Sequence, residues 1–223
     1  MVSVRALAVI VGPTGSGKSS LAISFASAIG GEIVNFDSVQ LYRGFNIGSA
    51  KTPPHERHNI PHHLFDVVDA QLGYSSGEYA RAAKSVVEEI SARGRLPVMV
   101  GGTGFYLSAL LNGLPELPQK DDDLRKRIET RRGSLHALLS RLDPQTAQRI
   151  HANDRQKLIR ALEIRILTGR PAPTPNQADL LTGFRITKIG LDPPRERLVE
   201  RLESRTRKRS EEHTSELQSL AYL

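Results

Sequence analysis

The stretch GPTGSGKSS, Gly12 to Ser20, contains the first residues whose types and spacing could do chemistry. It matches the pattern Gly-x-x-x-x-Gly-Lys-Ser of a phosphate-binding loop, in which backbone N–H groups and the positive end of the following helix cradle phosphate oxygens. Lys18 would add a positive charge, and the Ser19 hydroxyl could hold Mg²⁺. The alternative is a chance glycine-rich turn. The pattern favours a polyphosphate site built by Gly12, Pro13, Thr14, Gly15, Ser16, Gly17, Lys18 and Ser19.

Asp37 is the second candidate, and the predicted elements around it explain why. The apolar run from Arg5 to Val11 is typical of a strand buried in a parallel sheet, and EIVNFD predicts a second strand after the helix that follows the loop. Ligands of doubly wound sheets bind at the carboxyl ends of the strands, so Asp37 is predicted to face the phosphate site. In a kinase it would be a metal ligand or a base. The alternative is a turn residue that caps the strand end.

The remaining pattern predicts an α/β core interrupted by helices. Ser75 and Glu78 have the spacing of a capping box, LPVMV is the next buried strand, and GGTGFYLSALLNG is a glycine turn into another helix. From LPELPQ onward the chain is polar and helical, until FRITKIGL returns to a strand and ERLVERLESRTRKR to a helix. We predict an α/β fold with a P-loop NTPase-like parallel sheet in residues 1–117 and 183–208, and a helical insertion over residues 118–182.

The charge of the chain is uneven, and this bears on its partner. The 223 residues carry a formal net charge of +7, and residues 118–182 hold thirteen Lys or Arg against eight Asp or Glu. A local basic excess suggests an anionic partner. Cysteine is absent, and no apolar run is long enough to cross a bilayer. We therefore expect a soluble cytoplasmic protein without a membrane partner, and a monomer.

Five segments in this order resemble the tRNA dimethylallyltransferases: GPTGSGKSS, DSVQLYRGFNIGSAK, IPHHLFDVVD, GGTGFYLSALLNGL and HANDRQKLIRALEI. These enzymes prenylate the adenine on the 3′ side of the anticodon. The resemblance implies that the loop binds the diphosphate of dimethylallyl diphosphate, with Lys18 and Mg²⁺ on Ser19 stabilising the leaving pyrophosphate. It implies that Asp37 is the general base and that Thr103 lies near the diphosphate. The alternative for Thr103 is a helix N-cap.

The same resemblance implies two groups of residues that contact tRNA at the anticodon stem-loop. One follows the second strand, and the other is the QKLIR segment on a helix of the insertion, where Leu158, Ile159, Leu162 and Ile166 would share an apolar face. The alternative for the polar face of that helix is an ordinary solvated surface. The implied contacts are Asp37, Ser38, Val39, Gln40, Gln156, Lys157, Leu158, Ile159 and Arg160.

Other polar residues carry weaker signals. Arg43 and Lys51 could help electrostatically, although each taken alone is typical of a solvated surface charge. His62 and His63 are adjacent and lack a supporting cluster of Cys or carboxylates, so we expect them to support the fold.

Residues 209–223 fit nothing before them. RSEEHTSELQS, residues 209–219, matches the in-frame translation of a common sequencing-library adapter. We expect this tail to be non-native and the chain to be truncated at its C-terminus, and therefore impaired relative to its parent enzyme. The alternative is a natural polar helix.

Three other functions remain open on the sequence alone. A P-loop nucleotide or small-molecule kinase would transfer phosphate from ATP, and an adenylate isopentenyltransferase would prenylate free nucleotides. A non-catalytic RNA-binding module would need neither the loop nor Asp37. The basic insertion favours tRNA as the acceptor.

Overall fold

The chain folds into two compact units. The computed structural model describes residues 5–115, 117–173 and 180–220, with the backbone alone for residue 208 and residues 212–220. Residues 1–113 and 178–223 form an α/β unit, and residues 114–177 form a helical unit. The helical unit is therefore inserted within the sequence of the α/β unit, a few residues from the predicted bounds.

The α/β unit is built on a five-stranded sheet. Its strands are β1 Arg5–Val11, β2 Glu32–Asn35, β3 His62–His63, β4 Pro97–Val100 and β5 Phe184–Gly190. The strand order is β3-β2-β4-β1-β5, and every neighbouring pair is parallel. Every residue of β2 and β4 is buried, as expected for inner strands of a parallel sheet covered on both faces. The predicted α/β class is confirmed.

Eight α-helices and one 3-10 helix, Pro54–Glu56, are described. The α-helices are α1 Lys18–Ile29, α2 Ser76–Ala92, α3 Gly104–Asn112, α4 Asp122–Glu129, α5 Leu135–Leu142, α6 Pro144–Arg149, α7 Arg155–Thr168 and α8 Arg195–Leu220. The capping box at the start of α2 is present, because the Ser75 hydroxyl accepts from the Glu78 N–H and the Glu78 carboxylate accepts from the Ser75 N–H. Helix α8 continues beyond Arg209, where the predicted last helix ends. Within the described ranges, no helix is both long and apolar enough to cross a membrane.

Apolar side chains from alternate positions of the strands fill both faces of the sheet. Leu7 and Val9 of β1 lie in one core cluster with helices α2 and α3, whereas Ala8 and Ile10 lie in another with helix α1. This burial fixes the carboxyl ends of β1, β2 and β4 relative to one another. The phosphate loop and Asp37 follow two of these ends directly.

The helical unit has its own core, in which Leu139, Leu158 and Leu162 are fully buried. Glu163 is also fully buried, and its carboxylate accepts hydrogen bonds from Arg125. Burial alone would raise the pKa of Glu163, but the hydrogen bonds from Arg125 and Arg160 outweigh burial and lower the pKa to about 2. The carboxylate therefore stays charged and ties α4 to α7.

Candidate active site

The phosphate loop joins β1 to α1, and glycines make its path possible. Gly17 immediately precedes α1 with φ 92°, and Gly12 has φ 155°. A Cβ at Gly12 would lie 2.6 Å from the carbonyl oxygen of Leu191, which is closer than any side chain tolerates. The loop therefore brings its backbone N–H groups together at the N-terminus of α1, where the helix dipole favours an anion.

Lys18 lies over this loop. Its Nζ donates to the carbonyl oxygens of Gly12 at 2.8 Å and Pro13 at 2.7 Å. Burial lowers the pKa of Lys18, the positive charge of Arg205 lowers it further, and Asp37 partly opposes both. Positive charge is thus concentrated at the loop, and an anion bound there would relieve it.

Asp37 lies two residues past the end of β2. Its Oδ1 accepts hydrogen bonds from the N–H groups of Val39 at 2.9 Å and Gln40 at 3.3 Å, so this oxygen caps the turn that follows. Within the described part of the chain, the hydrogen bonds to the Asp37 carboxylate go to Oδ1 and none goes to Oδ2. The capping alternative therefore describes one oxygen of Asp37, and the second oxygen remains available to a ligand.

Thr103 occupies the N-cap position of α3, but its side chain makes no capping hydrogen bond. Its Oγ1 accepts from the N–H of Ser38 at 2.9 Å and lies 3.1 Å from the Ser38 hydroxyl. The structure therefore joins Thr103 and Ser38 to each other across the ends of β4 and β2, beside Asp37.

The loop after Asp37 folds over its own polar groups. The amide of Gln40 donates to the carbonyl oxygens of Ser49 and Ala50. Lys51 is only 8% exposed, and its Nζ donates to Asp66 Oδ1 at 2.6 Å. The expectation that Lys51 is a solvated surface charge is therefore wrong, because the loop encloses its ammonium group.

Arg43 is exposed, as a surface charge would be, and its guanidinium donates to Asp69 at 2.7 Å. His62 and His63 form the short edge strand β3. His62 lies 2.7 Å from the carbonyl oxygen of Ile60, and His63 lies 2.7 Å from the Glu32 carboxylate. Both histidines thus contact the framework of the sheet.

A cavity of about 880 Å³ lies in the α/β unit, and Ser38 and Thr103 are not among its described lining residues. Thr14, Gly15, Gly17, Lys18, Ser19, Asp37, Val39 and Gln40 line it. Three arginines of α8, Arg201, Arg205 and Arg209, line the same cavity, and Arg201 Nη1 donates to the carbonyl oxygen of Ser16 at 3.3 Å. These arginines were not predicted from the sequence. Their i, i+4, i+8 spacing on a predicted helix was the available signal, since it places them on one face.

The QKLIR segment lies on helix α7 of the helical unit, and its five side chains differ in exposure. Leu158 and Ile159 are 2% and 7% exposed, so their side chains pack in the core of the unit. Arg160 donates to Glu163 and to the carbonyl oxygen of Pro118. Gln156 and Lys157 are exposed, with Lys157 2.6 Å from Asp154.

Ile166 is 48% exposed, which corrects its assignment to the apolar face of this helix. It lies in the last turn of α7, beyond Ile164, the last buried residue of the helix.

Known proteins with similar sequences indicate the family of this chain. A sequence model of the IPP transferase family matches residues 40–221. The tRNA dimethylallyltransferase of Solibacter usitatus is 53% identical over 205 residues, covering 89% of this chain and 67% of that protein. That of Methylococcus capsulatus is 49% identical over 217 residues, covering 92% of this chain and 68% of its own length.

Two solved structures are also similar. A tRNA isopentenylpyrophosphate transferase of Bacillus halodurans is 37% identical with a TM-score of 0.63, over 93% of this chain and 67% of that one. A eukaryotic dimethylallyltransferase acting on tRNA is 29% identical with a TM-score of 0.81, over 98% of this chain and 56% of that one. The chain spans about two thirds of the length of its bacterial relatives. It belongs to the IPP transferase family.

Proposed function

We propose that this chain transfers a dimethylallyl group from dimethylallyl diphosphate to the exocyclic amine of the adenine 3′-adjacent to the anticodon of tRNA, releasing pyrophosphate. One observation supports this above all. A single cavity holds a phosphate loop, several cations, and a carboxylate with an available oxygen. The names of the relatives, tRNA dimethylallyltransferases, supply the substrates that fit this combination.

The diphosphate would lie against the loop. The positive charges of Lys18, Arg201 and Arg205 outnumber the two carboxylates among the described cavity residues, Asp37 and Glu56, while Lys51 is paired with Asp66. This excess of positive charge would stabilise pyrophosphate as its negative charge builds, without any residue being consumed. Thr103 is proposed to support this end of the site through its contact with Ser38.

Mg²⁺ fits this arrangement with few protein ligands. The described residues contain no group of three or more His, Cys, Asp or Glu that could hold a metal. Magnesium usually takes most of its ligands from water and substrate phosphates, and one hydroxyl such as that of Ser19, exposed at the start of α1, is a sufficient anchor. When bound, Mg²⁺ would neutralise charge on the departing pyrophosphate.

Asp37 is proposed as the general base. The lone pair of the adenine amine is delocalised into the ring, so attack is assisted by removal of a proton. A bond forms between the amine nitrogen and the first prenyl carbon as the bond from that carbon to the diphosphate oxygen breaks, and its electron pair leaves with pyrophosphate. The amine proton passes to Asp37 Oδ2.

Residues of each unit are proposed to contact tRNA. Ser38, Val39 and Gln40 follow Asp37 directly, and Val39 is 45% exposed. In the helical unit, the exposed Gln156 and Lys157 are the proposed contacts, while Leu158, Ile159 and Arg160 hold the helix that carries them. The target adenine would leave the anticodon-loop stack to reach Asp37. We also propose that the protein is cytoplasmic and monomeric.

A transfer assay tests the function against its alternatives. The chain would be incubated with labelled dimethylallyl diphosphate and Mg²⁺, with an anticodon stem-loop, AMP or ATP as acceptor. We expect label in the stem-loop alone, at the reduced rate predicted from the sequence. Label in AMP but not in the stem-loop would contradict the proposal, as would phosphoryl transfer from ATP without any prenyl transfer.

Lys18→Gln provides a matched comparison with Lys188→Gln, an exposed lysine of β5 outside the cavity. We expect the first substitution to weaken binding of dimethylallyl diphosphate at least tenfold, since charge-assisted hydrogen bonds contribute about 1.5–3 kcal/mol. The second should leave binding unchanged. Equal effects of the two substitutions would remove the loop from the binding site.

A further inference from the structure

The side chain of Asn35, the last residue of β2, is buried beneath Asp37 and makes three hydrogen bonds. Its Oδ1 accepts from the N–H of Asp37 at 2.9 Å, and its Nδ2 donates to the carbonyl oxygens of Asp37 at 3.2 Å and Leu64 at 2.9 Å. Asn35 itself is 1% exposed. One amide therefore engages both backbone polar groups of Asp37 and ties them to a second segment of the chain.

The surroundings of Asn35 are equally constrained. Its carbonyl oxygen accepts from the hydroxyl of Tyr79, which is fully buried and stacked on Tyr106 with ring centroids 4.4 Å apart. On the other side of Asp37, a Cβ at Gly101 would lie 2.5 Å from the carbonyl carbon of Phe36 and 2.8 Å from the Asp37 nitrogen. The backbone of Asp37 is thus held by the Asn35 amide and by close contact with Gly101.

The consequence appears at the carboxylate. With its Oδ1 bonded to the amides of Val39 and Gln40, the Asp37 carboxylate places Oδ2 beside Gly102. A Cβ at Gly102 would lie 3.5 Å from Oδ2, so the absence of a side chain there leaves room beside this oxygen. The two oxygens are therefore assigned different tasks by the fold.

We infer that Asn35 is a positioning residue for Asp37, whose amide clamp reserves Oδ1 for orientation and Oδ2 for accepting the proton. The expected effect of Asn35 on the transfer rate rests on the proposed function, whereas its orientation of Asp37 rests on the hydrogen bonds alone. A misplacement of about 1 Å at a reacting group costs on the order of 100-fold in rate.

Two substitutions remove the hydrogen bonds of the Asn35 amide to different extents. Asn35→Ser retains a hydroxyl that can accept from the Asp37 N–H but cannot also reach both carbonyl oxygens, and Asn35→Ala retains nothing. In single-turnover transfer with enzyme in excess, we expect rates reduced about tenfold and about 100-fold, with the affinity for dimethylallyl diphosphate within twofold of the unsubstituted chain. Val87→Ala, a cavity in the same core, is the control, and it should lower stability without changing the rate of the folded protein.

Combination with Asp37→Ala distinguishes positioning from a general structural effect. If Asn35 acts through Asp37, adding Asn35→Ser to Asp37→Ala should reduce the rate no further, because residues that act as a unit are not additive. A further tenfold loss in the double variant would overturn the inference while leaving the proposed function in place.

Amide hydrogen exchange tests the clamp without catalysis. We expect Asn35→Ser to accelerate exchange at the N–H groups of Val39 and Gln40 at least tenfold, and Val87→Ala to affect them no more than it affects the rest of the sheet. Unchanged exchange in Asn35→Ser would overturn the inference even in a preparation that transfers no label. Absence of transfer by the unsubstituted chain would count against the proposed function alone.

Discussion

Two carboxylates at opposite ends of the same strand have opposite surroundings. Glu32 opens β2 and is buried, with His63 Nε2 at 2.7 Å, Arg93 Nη2 at 2.8 Å and Arg95 Nε at 3.6 Å. Asp37 follows the carboxyl end of β2 and is bonded by two backbone amides through one oxygen only. The carboxylate at the start of the strand is therefore fully paired with charged or hydrogen-bonding partners, whereas the carboxylate after its end has hydrogen bonds to only one of its two oxygens.

The difference shows how a sheet separates stability from chemistry. Cations that contact Glu32 directly satisfy its charge and leave it nothing to offer a ligand. The cations near Asp37 reach it only through the field of the cavity, where Lys18 and Arg205 also face the phosphate loop. We therefore expect changes at Glu32 to alter folding, and changes at Asp37 to alter transfer.

The largest expected effect is that of Asp37→Asn. The amide retains an oxygen that can cap the turn but cannot accept the proton, so the single-turnover transfer rate should fall about 10²- to 10⁴-fold. Diphosphate affinity, measured by calorimetry, should change little. The matched control is Asp69→Asn, an exposed acid paired with Arg43, which should keep the normal rate. A loss of diphosphate binding equal to the loss of rate would make Asp37 a binding residue.

Glu32→Ala should have the next largest effect, and on a different quantity. Removing the buried carboxylate leaves Arg93, Arg95 and His63 without their partner, and breaking a buried ion pair costs about 3–5 kcal/mol. We expect a value at the lower end, since the arginines are about half exposed and can turn to water. Urea unfolding would measure the loss. A variant of unchanged stability but reduced transfer would erase the contrast with Asp37.

Glu32→Gln should change how the free energy of unfolding depends on pH. Burial by itself would raise the pKa of Glu32, but hydrogen bonds from His63 and Arg93 outweigh burial and lower its pKa below the ordinary value of 4.5. A carboxyl whose pKa is lowered by folding contributes stability above its unfolded pKa and loses it as pH falls through the folded value.

The free energy of unfolding should consequently fall as pH is lowered below about 4.5, and fall less steeply in Glu32→Gln. Denaturant midpoints between pH 6 and pH 3 would measure the slopes. Parallel slopes in the two proteins would show that other carboxyls dominate the acid response.

The smallest expected effect belongs to Arg95→Ala. Its Nε lies 3.6 Å from Glu32 and its side chain is 52% exposed, so solvent screens the pair. We expect a loss of only about 0.2–1 kcal/mol in stability. Arg93→Ala should cost more, since its contact is shorter at 2.8 Å. Equal costs would indicate that distance does not rank the cations around Glu32.

Local features of this fold were readable from the sequence. The loop from Gly12 to Ser19 is contiguous, and its glycine spacing carries its own geometry. Asp37 could be placed because one buried strand precedes it and parallel strands present their carboxyl ends at one edge. The capping box of α2 spans only Ser75 to Glu78. Each of these depends on neighbours within a few positions.

Features that depend on distant segments were missed. Arg201 meets Ser16 across 185 positions, and the Asn35 amide reaches Leu64 across 29. Lys51 has the composition of a surface charge, and only the folded loop around Asp66 makes it buried. Tertiary packing, which no local spacing encodes, decides these three environments. The proposed roles of Asn35 and Arg201 therefore emerged only once the chain was folded.

The place of β5 at the edge of the sheet has a consequence for synthesis on the ribosome. β1 pairs with β5 along all seven residues from Arg5↔Phe184 to Val11↔Gly190, yet the whole helical unit is translated between them. At ordinary elongation rates, one side of β1 waits on the order of ten seconds or more for its partner. During that interval the nascent chain exposes an unpaired strand edge, to which chaperones or other chains can bind.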